Sequence, residues 1–238
     1  MFLALSSVTL CSAETLIYAG PGNNQIDGFY AYPYYVQVNG AVAAPMMCDD
    51  FTDEIGDGYE WLATANTLTS ANVQNGDFLY SNSTSFGAGD IAIDVPNSAV
   101  QAYDEAGFIF TGMFSGTINP SEGNAAVWYL FSPGPASAIG GDAAALGILD
   151  QAYESVSADA SYNYSDITVY TPKPNGIISP ANTPGEGQEL FAITASYTPE
   201  RIDPGSAVPE PPPSLLLAAG AALIGLNGLV RRRLRARA

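Results

Sequence analysis

The chain has 238 residues, 47% of them hydrophobic, with 24 acidic side chains against seven basic ones, two cysteines and no histidine. Without histidine, Ser-His-Asp and Cys-His catalysis, His-ligated zinc and imidazole acid/base chemistry are excluded. The net charge of −17 repels nucleic acid and anionic lipid, so no nucleic acid is expected as a partner.

Residues 1–13, MFLALSSVTLCSA, are an apolar stretch ending in small residues before Glu14. They resemble the later part of a secretory signal peptide, with cleavage after Ala13. The basic n-region is missing, which implies that the reading frame starts upstream. A lipid anchor at Cys11 would require a small residue where Leu10 stands. Cleavage after Ala13 leaves Cys48 as the single thiol of the body, so no internal disulfide is expected.

Residues 14–195 are long enough for one domain with a sizeable core. Tyr30, Tyr32, Tyr34, Val36 and Val38 alternate with smaller or polar residues, the period of a strand with one buried face. Asn39-Gly40 then supplies a hairpin turn. Further strands are expected over 46–51 and 59–65, separated by an acidic loop at 53–58. Val100, Tyr103, Gly107, Phe110 and Phe114 recur at helical spacing after Pro96-Asn97. A second helix is expected over 122–131, stopped before Pro133. A third covers 142–157, with Leu146, Leu149, Tyr153 and Val156 on one face and Asp142 near its N-terminus, where the dipole favours a carboxylate. Residues 167–170 and 189–195 read as closing strands. Strands, then helices, then strands predict an α+β, strand-rich domain with a helical insertion. Residues 196–213, rich in proline and small side chains, read as a stalk.

Residues 214–230 form an almost uncharged apolar run of the length that a membrane-spanning helix needs, roughly 17–25 residues. Five of the seven basic residues, Arg231, Arg232, Arg233, Arg235 and Arg237, follow it, which keeps residues 231–238 on the cytoplasmic side. Val208-Pro209-Glu210-Pro211 precedes it, and the prolines at 211–213 hold that segment extended. The three parts together resemble the PEP-CTERM sorting signal of gram-negative bacteria. That resemblance implies an exosortase-type membrane protease as partner, passage through the secretion machinery, and an inner-membrane precursor that is cut near the signature and released to the cell surface or exterior.

Within the body, Met46-Met47-Cys48-Asp49-Asp50-Phe51 and Asn124-Ala125-Ala126-Val127-Trp128 resemble two motifs of bacterial thioester domains. In that family a cysteine sulfur attacks a glutamine carboxamide, expels ammonia and leaves an internal thioester open to a surface amine or hydroxyl. The resemblance gives Cys48 the sulfur and Asn124 the acyl position. Asn124 is one methylene shorter than glutamine, about 1.3 Å of reach, where reacting atoms need to approach within roughly 3–3.5 Å. The competing reading keeps the fold and makes Cys48 a buried thiol, since cysteine packs as a small hydrophobe. Gln101 lies outside the motif.

No catalytic residue, metal site or cofactor is assigned. Ser-Lys chemistry would rest on Lys173, between prolines on an expected exposed turn. The acids Asp49, Asp50, Asp53, Glu54, Asp57 and Glu60 offer calcium-type ligands but not EF-hand spacing, and read as a solvated loop. Tyrosines suit a sugar-stacking surface as well as strands, while Trp61 and Trp128 are expected in the core. The sequence reads as an exported surface or matrix-associated protein with a structural or adhesive, non-catalytic role, extracellular polysaccharide being a candidate partner. The alternatives are a covalent thioester-type adhesin using Cys48 and a carboxylate-based glycan-active enzyme.

Overall fold

A computed structural model describes residues 13–52, 55–87, 95–132, 141–159, 164–179 and 187–193. Eight strands and four helices occur among them: β1 (Ala13–Pro21), β2 (Gln25–Ile26), β3 (Phe29–Tyr30), β4 (Tyr34–Val38), β5 (Ala44–Cys48), β6 (Glu60–Thr67), α1 (Ser70–Asn75), α2 (Ala99–Ser115), α3 (Pro120–Phe131), α4 (Ala143–Ala158), β7 (Ile167–Ser179) and β8 (Leu190–Ile193). Six strands close into an antiparallel barrel in the order β1-β4-β5-β8-β7-β6, and β2-β3 form a separate small hairpin. The helices follow β6 and precede β7, so the expected mixture of strands with a helical insertion is present. Closure of the sheet was not expected.

Alternation explains the barrel interior. Leu16 and Tyr18 of β1, Tyr34 and Val36 of β4, and Trp61 and Ala63 of β6 are buried, with more accessible neighbours between them. Strand β8 differs: Leu190, Phe191 and Ala192 are all buried, because helix α2 covers its outer face. Phe191 lies 6.1 Å from the Tyr103 ring and 6.2 Å from Phe110, both on α2. A strand covered on both faces carries a continuous apolar run.

Helix ends obey local chemistry. Ser98 and Asn119 cap α2 and α3, Pro120 opens α3, and Gly116 ends α2 in the left-handed region. Asp142 does more than complement the dipole: it is the N-cap of α4, accepting from the amides of Ala144 and Ala145 at 2.8 and 2.9 Å, one of the preferred cap residues.

Three sequence expectations change. The 30–38 alternation is not one strand, since Tyr30 closes the β2-β3 hairpin and is half exposed, while β4 starts at Tyr34. Strand β1 and the short helix α1 were not anticipated. The turn expected around Lys173 is an irregularity inside the long strand β7: Pro172 pairs with Ala63 and Ile177 with Trp61, leaving residues 173–176 opposite Leu62 alone. Pro174 offers no ladder donor, Asn175 has positive φ, and a Cβ on Gly176 would lie 2.7 Å from the Lys173 carbonyl oxygen. The expected apolar spanning run, stalk and Arg tail lie outside the described residues. Among the described residues, no helix is long and apolar enough to cross a membrane.

Candidate functional site

The end of β5 is where the candidate residues meet. Met47 pairs with Phe191 and Cys48 with Leu190 of β8; the chain then leaves the barrel through Asp49 and Asp50. Helix α3 passes beside this point. Gly123 permits that course, because a Cβ there would lie 2.7 Å from the Met113 side chain of α2.

One residue on, Asn124 is fully buried and its carboxamide is spanned by main chain. Nδ2 donates to the Cys48 carbonyl at 2.8 Å, and Oδ1 accepts from the Tyr32 amide at 2.7 Å. These bonds join three segments: β5, the stretch before β4, and α3. Cys48 and Asn124, paired by motif alone, are therefore neighbours, but through the cysteine backbone. The Cys48 sulfur is buried, is not in a disulfide, and donates to the Asp50 carbonyl at 2.9 Å. Burial pushes its thiol well up, the charges of Asp49 and Asp50 add to the rise, and hydrogen bonds from the Asp50 backbone and the Trp128 side chain partly oppose it. A raised thiol is a poor nucleophile at neutral pH.

The neighbouring acids are not one solvated loop. Asp49 and Asp50 are buried. Asp50 Oδ1 accepts from the amide and hydroxyl of Thr52, both at 2.8 Å. Asp49 sits one step past the Cys48–Leu190 pair and faces Glu189, also fully buried. Glu189 is well supplied: Tyr103 Oη donates to it at 2.5 Å, Thr171 Oγ1 at 2.5 Å and the Leu79 amide at 2.8 Å. Neither oxygen of Asp49 has a hydrogen-bond donor in ordinary geometry. Burial, then the Glu189 charge, pushes Asp49 well above the usual carboxylate range; burial raises Glu189 too, against the pull of its donors. With three donors on Glu189 and only its own backbone assisting Asp49, the proton belongs on Asp49 and the charge on Glu189.

Glu189 went unnoticed in the sequence because one acid among many carries no signal until the β5–β8 register is known. Trp61 and Trp128 are both core residues. Gln101 stands at the start of α2, bonded to the Asn97 amide and the Ser157 hydroxyl, away from Cys48 in its bonding. Among the described residues, no cluster of three or more Cys, Asp or Glu side chains is placed to hold a metal ion. Val208, Pro209, Glu210, Pro211 and the arginines at 231–233, 235 and 237 lie outside the described residues.

No protein-family model matches the chain, and no curated protein matches it in sequence. Among solved structures, the N-terminal thioester domain of fibronectin-binding protein SfbI from Streptococcus pyogenes is similar with a TM-score of 0.39 and 8% identity, over 80% of this chain and 97% of that one. No residue role follows from a likeness of that size.

Proposed function

We infer that this chain is an exported surface or matrix-associated protein whose folded body acts non-covalently, as a structural or adhesive module. Export and exosortase processing rest on the tail alone: Pro209-Glu210-Pro211, the apolar run 214–230 and the Arg cluster stand in the order of a sorting signal. The non-covalent part rests on one observation, the engagement of both ends of the Asn124 carboxamide by buried main chain. To form a thioester, Asn124 would have to surrender Nδ2 as ammonia. That would strip the Cys48 carbonyl of its donor, a loss of about 1–3 kcal/mol for a buried group. The sulfur, meanwhile, is turned to the Asp50 carbonyl.

A covalent adhesin is the second reading, favoured by the adjacency of Cys48 and Asn124 across 76 residues of sequence. A glycan-active enzyme is weaker, because the paired carboxylates of Asp49 and Glu189 are both fully buried and out of reach of a glycosidic oxygen. Intact mass before and after methylamine separates the first two readings. Full mass, with a thiol that reacts only after unfolding, is the expected result. A mass short by one ammonia and restored with added methylamine overturns it. For sorting, Glu210→Ala should accumulate as uncut membrane-bound precursor; normal maturation of that variant would refute the sorting proposal.

A further inference from the structure

A cleft of about 340 Å³ opens beside the β5 exit. Six of its lining residues are aromatic, Tyr18, Phe29, Tyr30, Tyr34, Phe51 and Trp128, and Gly28, Ile55, Asp50 and Gln188 complete it. Phe51 lies 5.0 Å from Phe29 and 5.1 Å from Trp128, ring centre to ring centre, and Tyr18 lies 6.2 Å from Tyr34. Asp50 is its acidic lining residue, and no lysine or arginine lines it. We propose that this cleft binds a quaternary ammonium group.

The chemistry of the walls selects the ligand. An anion would meet Asp50 with no counter-charge. A neutral sugar needs several donors and acceptors, yet the Tyr34 hydroxyl already donates to the Tyr30 carbonyl, the Gln188 amide to the Asp50 carbonyl, and Asp50 Oδ1 is engaged by Thr52. A primary ammonium brings three N–H donors that all require acceptors, and Asp50, the acidic lining residue, already has Oδ1 engaged by Thr52. A methylated ammonium carries its charge on an apolar surface without donors, which suits aromatic walls through the ring quadrupoles and Asp50 through its charge. The volume falls in the range of small-molecule pockets, roughly 300–1,000 Å³. The proposal uses neither the thiol nor the tail, so it stands apart from the surface-protein reading.

The test is titration of the full chain with choline, followed by tryptophan fluorescence, since Trp128 lines the cleft and Trp61 is buried in the barrel. A saturable change is expected. The uncharged isostere, with carbon in place of the quaternary nitrogen, should bind about tenfold or more weakly. Tyr30→Ala removes a half-exposed ring and should weaken choline about threefold without affecting folding. Asp50→Asn should weaken it about tenfold. Equal binding of the isostere, saturation by a neutral oligosaccharide in place of choline, no saturable signal, or choline affinity unchanged in Tyr30→Ala would each overturn the proposal.

Discussion

Two polar seams sit side by side in the described fold, and they solve burial in opposite ways. The Cys48–Asn124–Tyr32 clamp is neutral, with a donor and an acceptor on one side chain matched to an acceptor and a donor on the backbone. One residue further along, Asp49 and Glu189 bury two carboxyls against each other, tolerable only while one of them keeps a proton. A neutral clamp is indifferent to pH; an acid pair depends on it. Adjacent residues thus place a permanent fastening and a conditional one at the same strand end.

The clamp is broken most severely by Asn124→Leu, which orphans a buried amide and a buried carbonyl. A loss of about 3–5 kcal/mol is expected from the two desolvated groups. Denaturant unfolding should give the same loss at pH 5 and pH 8, because nothing in the clamp titrates there. A loss that changed with pH would mean that the two seams are not separable.

The pair is probed by pH itself. A carboxyl whose folded pKa is raised holds its proton where the unfolded chain has released it. The resulting stability is complete below the unfolded pKa and is lost as pH rises through the folded one. Glu105, almost fully buried on α2 and pushed up to about 8 mainly by burial, behaves likewise. Each such group should lower stability by about 1.4 kcal/mol per pH unit between its ordinary and its raised pKa. Unfolding free energy should therefore fall from pH 5 to pH 8. Asp49→Asn should flatten that slope and be more stable than the parent at pH 8, since its amide can donate to Glu189.

Tyr103→Phe removes a Glu189 donor and also the acceptor of the Tyr80 amide at 3.0 Å. It should cost about 1–3 kcal/mol, more at pH 8 than at pH 5, as read by the same melts. The smallest effect is expected from Cys48→Ala, about 1 kcal/mol for a lost buried sulfur. It should leave the pH slope intact and match the parent in any surface-binding assay, whereas a covalent adhesin would lose its adducts.

The helices were the most legible part of the fold. Periodic apolar residues and the turn signals around Pro96, Asp142 and Pro133 are local, and they bracket α2, α3 and α4 within a few residues. Strand β1 was hidden because residues after a signal-like stretch show little alternation contrast. Strand β7 was read only over 167–170, because Pro172, Pro174 and Gly176 look like a turn, and only pairing with β6 reveals that it continues to Ser179 as an irregular ladder. The Cys48–Asn124 adjacency was legible from two short motifs. Its chemistry was not, since which atom of Cys48 meets the carboxamide depends on where α3 lies. The Asp49–Glu189 contact is a matter of register between strands far apart in sequence, which composition does not encode.

Closure of the barrel bears on how copies of this protein would behave when crowded together. An open sheet offers unpaired amides and carbonyls along its edge strands, a template onto which another chain can add. Here β1 is paired with both β4 and β6, and each of the six barrel strands has two neighbours. Among the described strands, only the two-residue β2 and β3 have open sides, too short to propagate a ladder. The barrel strands therefore leave self-association to side chains and loops, which are open to tuning by single substitutions, and offer no edge for fibril-like strand addition.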